Sequence, residues 1–86
     1  MAEAPILTPK QLSLHLRSLR KRLGLTQAQL GRRLGVEQAR VAKIERHPGS
    51  ISMEQLLAVL AVLEAEIFIR PKTASTTTVG RQKAIW

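Results

Sequence analysis

Three times in this chain a hydroxyl residue is followed three positions later by a glutamine: Thr8 and Gln11, Thr26 and Gln29, Ser52 and Gln55. A Ser or Thr at a helix N-cap accepts from the backbone N–H three residues on, and a Gln there reaches back to the cap's own N–H. Each pair therefore reads as the start of a helix. Pro9 follows the first cap, where its missing N–H costs nothing. Leu7 with Leu12, and Ile51 with Leu56, are placed as hydrophobic staples around the first and last starts. The stops are as plain. Gly24 and Gly35 end the first two helices, and "HPGS" at 47–50 breaks a third that runs from about Glu37 to Arg46. Such punctuation predicts four short helices, an all-α fold. Phe68 and Trp86 are the only aromatics, which argues against an aromatic-rich sandwich.

The apolar positions fit that frame. Leu12, Leu16, Leu19 and Leu23 form one stripe on the first helix. Leu30 and Leu34 face inward on the second, Val41 and Ile44 on the third. The fourth helix is different, because Met53, Leu56, Leu57, Val59, Leu60, Val62 and Leu63 exceed one stripe. A helix apolar on more than one face is covered on more than one face. In a domain this small the second cover is expected from another chain. "AEIFIRP" then shifts to a period of two and reads as a short strand ended by Pro71. A lone strand is not stable, and no second strand candidate exists, so the expected partner is the same strand of a second copy about a two-fold axis. Leu60, Leu63, Ile67, Phe68 and Ile69 are the predicted dimerisation residues. The organisation is thus a folded unit at 1–71 and a tail at 72–86, polar and expected to be disordered in the free protein.

Eighty-six residues make one small domain with little stability to spare, which dimerisation would remedy. The net charge is +8, and its placement is uneven. Residues 10–46 carry ten basic side chains against Glu37 and Glu45, whereas residues 47–70 carry Arg70 against Glu54, Glu64 and Glu66. A strongly basic half beside a slightly acidic apolar half points to a nucleic-acid footprint. The chain has no cysteine and no aspartate, so no disulfide framework and no catalytic or metal-binding constellation is expected. His15 reads as a boundary residue of the first stripe and His47 as a loop residue. No cofactor and no small-molecule ligand are expected. "MAEAPILTPK" lacks the basic-then-apolar pattern of a signal peptide, and "LLAVLAVL" is far below the ~20 residues that span a bilayer. The expected location is the cytoplasm, on the nucleoid when bound to DNA, with no membrane partner.

The functional signal is "TQAQLGRRLGVEQARVAKIE", residues 26–45. It predicts two short helices joined by a Gly-containing turn. Gly31 stands where the helices cross closely, and Gly35 permits the turn. Gln38, Ala39, Ala42 and Lys43 are left to face outward on a helix as wide as the DNA major groove. This stretch resembles the XRE/Cro-like helix-turn-helix family of phage repressors, in its "TQ" opening, Leu/Gly spacing, "GVEQ" and closing "IE".

The resemblance implies roles. Gln38 matches the position whose amide reads base edges, a pairing with adenine worth roughly 1–3 kcal/mol of discrimination. Gln27 matches the position that binds a phosphate and braces Gln38. Ala39 would touch a thymine methyl, and Lys43 and Arg40 would reach a guanine or a phosphate. Arg20, Arg22, Arg33 and Arg46 are the candidate phosphate contacts. Glu37 either accepts from a cytosine or stabilises the helix N-terminus. Ala42 replaces a small hydroxyl residue common in the family.

Over most of the chain the order of capped helix, "TQ" motif, Leu-rich helix, "VLEAEIFI", polar tail and final Trp is similar to the HipB-type antitoxins. That resemblance implies a homodimeric autorepressor that binds double-stranded operator DNA and neutralises a HipA-type serine/threonine kinase toxin, with Ile85 and Trp86 as toxin-binding residues. A stand-alone regulator of the same family, with no toxin, is the alternative.

Overall fold

A computed structural model describes residues 4–72, and the predicted toxin-binding pair Ile85 and Trp86 lies outside the described residues. Four helices follow in order: α1 (Pro9–Arg22), α2 (Gln27–Leu34), α3 (Gln38–Arg46) and α4 (Met53–Val62), with a 3₁₀ turn at Pro48–Ser50 between the last two. Two of the predicted capping boxes are complete. Thr8 Oγ1 accepts from Gln11 N at 3.2 Å while Gln11 Oε1 accepts from Thr8 N at 3.0 Å. Thr26 Oγ1 and Gln29 Oε1 make the same reciprocal pair, at 3.0 and 2.8 Å. The third is only half made. Ser52 Oγ accepts from Gln55 N at 3.0 Å, but the Gln55 side chain instead accepts from Arg40 Nη2 at 3.3 Å, tying α4 to α3. A charged donor from a neighbouring helix outcompetes the local N–H.

The turn between α2 and α3 is built on two glycines with different reasons. Gly35 sits at φ 76°, the left-handed region that a Cβ disfavours, and its Cβ would meet nothing. Gly31 has ordinary backbone, but a Cβ there would lie 2.7 Å from the Val36 carbonyl oxygen and 3.3 Å from Val41 Cγ2. The close approach is thus to the turn as much as to α3. Together they let Val36 N donate to Gly31 O at 2.9 Å and fold α3 back across α2.

The core joins all four helices: Leu16 from α1, Leu30 from α2, Val41 and Ile44 from α3, and Leu56, Val59, Leu60 and Leu63 from α4 and its end. Leu12, Leu19 and Leu23 complete the α1 stripe as partly buried residues packed against it. Burial of a Leu or Val side chain is worth about 1.5–3 kcal/mol each, the main term holding so small a fold. Leu60 and Leu63 depart from their expected role. Both are buried in the chain's own core, at 5% and 1% exposure, so neither is free to form an interface. The second apolar face of α4 is instead Met53 and Leu57, both exposed. Among the described residues there is no strand, and residues 65–72 carry no ladder. A strand's backbone groups need a neighbouring strand, and a single chain offers none. Ile67, Phe68 and Ile69 are exposed.

Candidate nucleic-acid interface

Helical periodicity divides α3 into two sides. Val41, Ile44 and Glu45 are buried, while Gln38, Ala39, Lys43 and Arg46 are exposed and Ala42 is half-buried. The exposed set falls at i, i+1, i+5 and i+8, with half-buried Ala42 at i+4 between them, so it forms one continuous outward face. Glu37 is the N-cap residue. It makes no side-chain cap hydrogen bond and stays exposed beside Gln38.

The N-termini of α2 and α3 meet at the edge of this face. Gln38 Nε2 donates to Gln27 Oε1 at 2.7 Å. Gln27 Nε2 donates in turn to Glu45 Oε1 at 3.1 Å. Glu45, only 1% exposed, is held by Arg20 from α1, whose Nε donates to Oε2 at 2.5 Å and Nη2 to Oε1 at 3.2 Å. Arg20 Nη1 donates to the Leu25 carbonyl at 2.9 Å. Arg17 Nε stands 3.9 Å from Glu45 Oε1 as a second, more exposed cation. Ser13 Oγ donates to the Glu45 backbone carbonyl, pinning the far end of α3 to α1. An outward amide is therefore connected through a second amide to a buried ion pair.

A shallow concavity adjoins Gln38, lined by Lys21 from the end of α1, Gly24 from the connection, and Thr26, Gln27 and Ala28 from the start of α2. The Gln27 and Ala28 amides lie in the first turn of α2, where no carbonyl one turn earlier can accept from them. Unpaired N–H groups at a positive helix end, beside a lysine, suit a phosphate oxygen. Lys21 was absent from the predicted contacts, although a basic residue three places before a Gly–Leu–Thr cap is well placed to border a helix N-terminus.

The other predicted residues divide. Arg22, Arg33 and Arg46 are exposed, and so are available to an anion. Arg20 is not: it is 8% exposed and committed to Glu45 and Leu25, so its expected phosphate contact is replaced by an internal one. Arg40 is half-buried and turned to Gln55 rather than to the outward face. Glu45 was missed altogether. The signal was present, since Glu45 falls at i+4 from Val41 and Arg20 at i+4 from Leu16, both on apolar stripes. Opposite charges on two facing stripes mark a buried pair.

Two crossed helices over a third, with a polar outward face and a helix N-terminus open to anions, define a helix-turn-helix protein. A helix-turn-helix family model matches residues 16–68, more than half of the chain, and the chain belongs to that family, in its XRE-type branch. Solved structures share the fold. A HipB-O1-O2 complex is 25% identical, with 80% of this chain and 100% of that one covered, at a TM-score of 0.73. A complex of a HipB variant with an O2 20mer is 25% identical, covering 84% and 100%, at 0.75. A HipA-HipB-O2-O3 complex is 24% identical, covering 83% and 100%, at 0.74. No curated protein matches the chain.

Among the described residues no helix is long and apolar enough to cross a membrane, and no three His, Cys, Asp or Glu side chains gather as a metal site.

Proposed function

We propose that the chain is the antitoxin and autorepressor of a HipA-type serine/threonine kinase toxin, acting as a homodimer on operator DNA. The observation that carries this reading is the likeness to HipB in its O1-O2 complex, which spans all of that protein and four-fifths of this one. The outward face of α3 supplies the chemistry. Gln38 keeps an amide oxygen and one N–H for an adenine edge, Ala39 offers a methyl to thymine, Lys43 a cation to guanine or phosphate, and Glu37 an acceptor to cytosine. Arg22, Arg33, Arg46 and the amides at the start of α2 take the phosphates, which set affinity and register. Exposed Leu57, Ile67, Phe68 and Ile69 supply the self-association surface, with residues 65–70 pairing as strands across the two-fold axis. Ile85 and Trp86, two large apolar side chains in a polar segment, anchor the toxin.

The dimer is then expected to bind an inverted repeat with half-sites about 34 Å apart. Sequence selection on random DNA followed by anisotropy titration tests it. Gln38→Ala should flatten preference at one position per half-site, and an unchanged preferred sequence would remove α3 from the recognition role. For the toxin, a HipA-type kinase from the adjacent reading frame should bind the chain, and deleting residues 84–86 should weaken that complex while leaving operator affinity intact. Equal toxin affinity after the deletion rejects Ile85 and Trp86 as the anchor.

A further inference from the structure

We infer that Glu45 is a specificity-determining positioning residue: its carboxylate, held by Arg20, sets the direction of the Gln27 amide and, through it, the direction of the Gln38 amide. This rests on the reading of Gln38 as a base-contacting residue.

A glutamine amide has two unlike ends, and rotating it by half a turn exchanges donor for acceptor at little cost when nothing holds it. Gln38 is exposed, so nothing in its own packing selects one direction. Glu45 breaks the symmetry at a distance. An ion-paired carboxylate offers only acceptor lone pairs, so Gln27 must turn its NH₂ end toward Glu45 Oε1, as the 3.1 Å contact records. The Gln27 oxygen then faces the other way. Only an N–H can meet it, so Gln38 must donate, as it does at 2.7 Å. An inverted Gln38 would set two carbonyl oxygens against each other. One buried charge thus orients two amides in sequence, and the low exposure of Glu45 strengthens the first step.

The consequence lies at the base edge. Adenine presents an N7 acceptor and an N6 donor in fixed order across the major groove, and a Gln of fixed direction matches that order once. A Gln free to rotate also accommodates the reversed order, so discrimination falls while attraction to DNA does not. Phosphate contacts from Arg22, Arg33 and Arg46 lie outside the relay and carry no base information. A purely structural Arg20–Glu45 pair would behave differently, changing affinity for every sequence alike.

The test compares relative affinities of the full chain for its selected site and for the three other bases at the position that Gln38→Ala flattens. The double variant Arg20→Met/Glu45→Met removes both charges together, so neither is left buried and unpaired. Glu45→Gln, which keeps the side-chain shape but offers a donor as well as an acceptor, is the second variant. Both should lower preference at that one position by about fivefold or more, leaving preferences elsewhere and the salt dependence unchanged. Gln27→Met should do the same, and adding it to the double variant should lower preference no further. Wild-type preference at that position in either folded variant overturns the inference, as does an equal loss at every position. A wild-type chain that selects no sequence, or a Gln38→Ala variant with unaltered selection, overturns the DNA reading and this inference with it.

Discussion

Arg20→Met isolates the buried ion pair that joins α1 to α3. The side chains of Arg20 and Glu45 are 10% and 2% exposed, and the shorter contact between them is 2.5 Å. Removing the guanidinium leaves Glu45 in the interior with one neutral donor, Gln27 Nε2, and the partly exposed Arg17 cation 3.9 Å away. It also orphans the Leu25 carbonyl, which sits on a buried residue. Breaking a buried pair from one side costs about 3–5 kcal/mol. Typical stabilities of about 0.05–0.15 kcal/mol per residue give a chain of this length roughly 4–13 kcal/mol in total, so the single variant should be close to unfolding. The reverse single, Glu45→Met, strands the Arg20 charge and should cost a similar amount. Changing both removes both charges, and what remains lost is chiefly the Leu25 contact, about 1–2 kcal/mol. Urea melts of the four proteins, followed by far-ultraviolet circular dichroism at one fixed protein concentration, measure this. Strong non-additivity is the expected result, with the double variant more stable than either single. If Arg20→Met costs under about 1 kcal/mol, or the two singles sum to the double, the pair is not carrying a buried charge and the reasoning fails.

Three further outcomes follow from local geometry. Gly31→Ala gains about 1 kcal/mol of helix propensity but forces a Cβ to 2.7 Å from the Val36 carbonyl, a backbone atom that cannot step aside, at about 1–3 kcal/mol; the urea midpoint should fall, and a rise would mean the turn relaxes freely. Glu64 closes α4 at φ 60°, a conformation that costs a residue with a Cβ about 1–2 kcal/mol, so Glu64→Gly should raise the melting temperature by a few degrees, and an unchanged value would show that no strain is held there. Arg33→Ala should weaken binding to all duplexes alike and lower the slope of log affinity against log salt by about one; a change in base preference would instead place Arg33 at a base edge.

What could be read in advance was what short-range chemistry decides. Thr8, Thr26, Gly24 and Gly35 act on backbone groups within four residues, so sequence spacing alone locates the helix ends. Gln55 shows where that stops: its spacing from Ser52 is that of a capping box, but the outcome depended on Arg40, fifteen residues earlier and brought within reach only by the fold. Leu60 and Leu63 lie inward for a related reason. α4 is apolar on both sides, so composition alone does not say which residues take the inner one; the crossing of α2 and α3 beneath it does. For the segment at 65–70 the proposed pairing partner is further away still, in another molecule.

The same distinction applies to charge. Ten cations between residues 10 and 46 suggest ten contributors to a DNA-binding field, but a count cannot tell a surface charge from an internal one. Arg20 is neutralised inside the fold by Glu45, and Arg40 leans on Gln55. The exposed cations around α2 and α3 are Lys21, Arg22, Arg32, Arg33, Lys43 and Arg46, and these are the ones whose counterions a duplex would release. In the proposed relay, Arg20 bears on DNA by a different route. It holds the carboxylate that orients Gln27, so a cation withdrawn from the electrostatic term re-enters through the hydrogen-bond geometry of Gln38. Affinity and base preference are therefore expected to depend on different arginines, and the position of each along its helix's apolar stripe tells the two kinds apart.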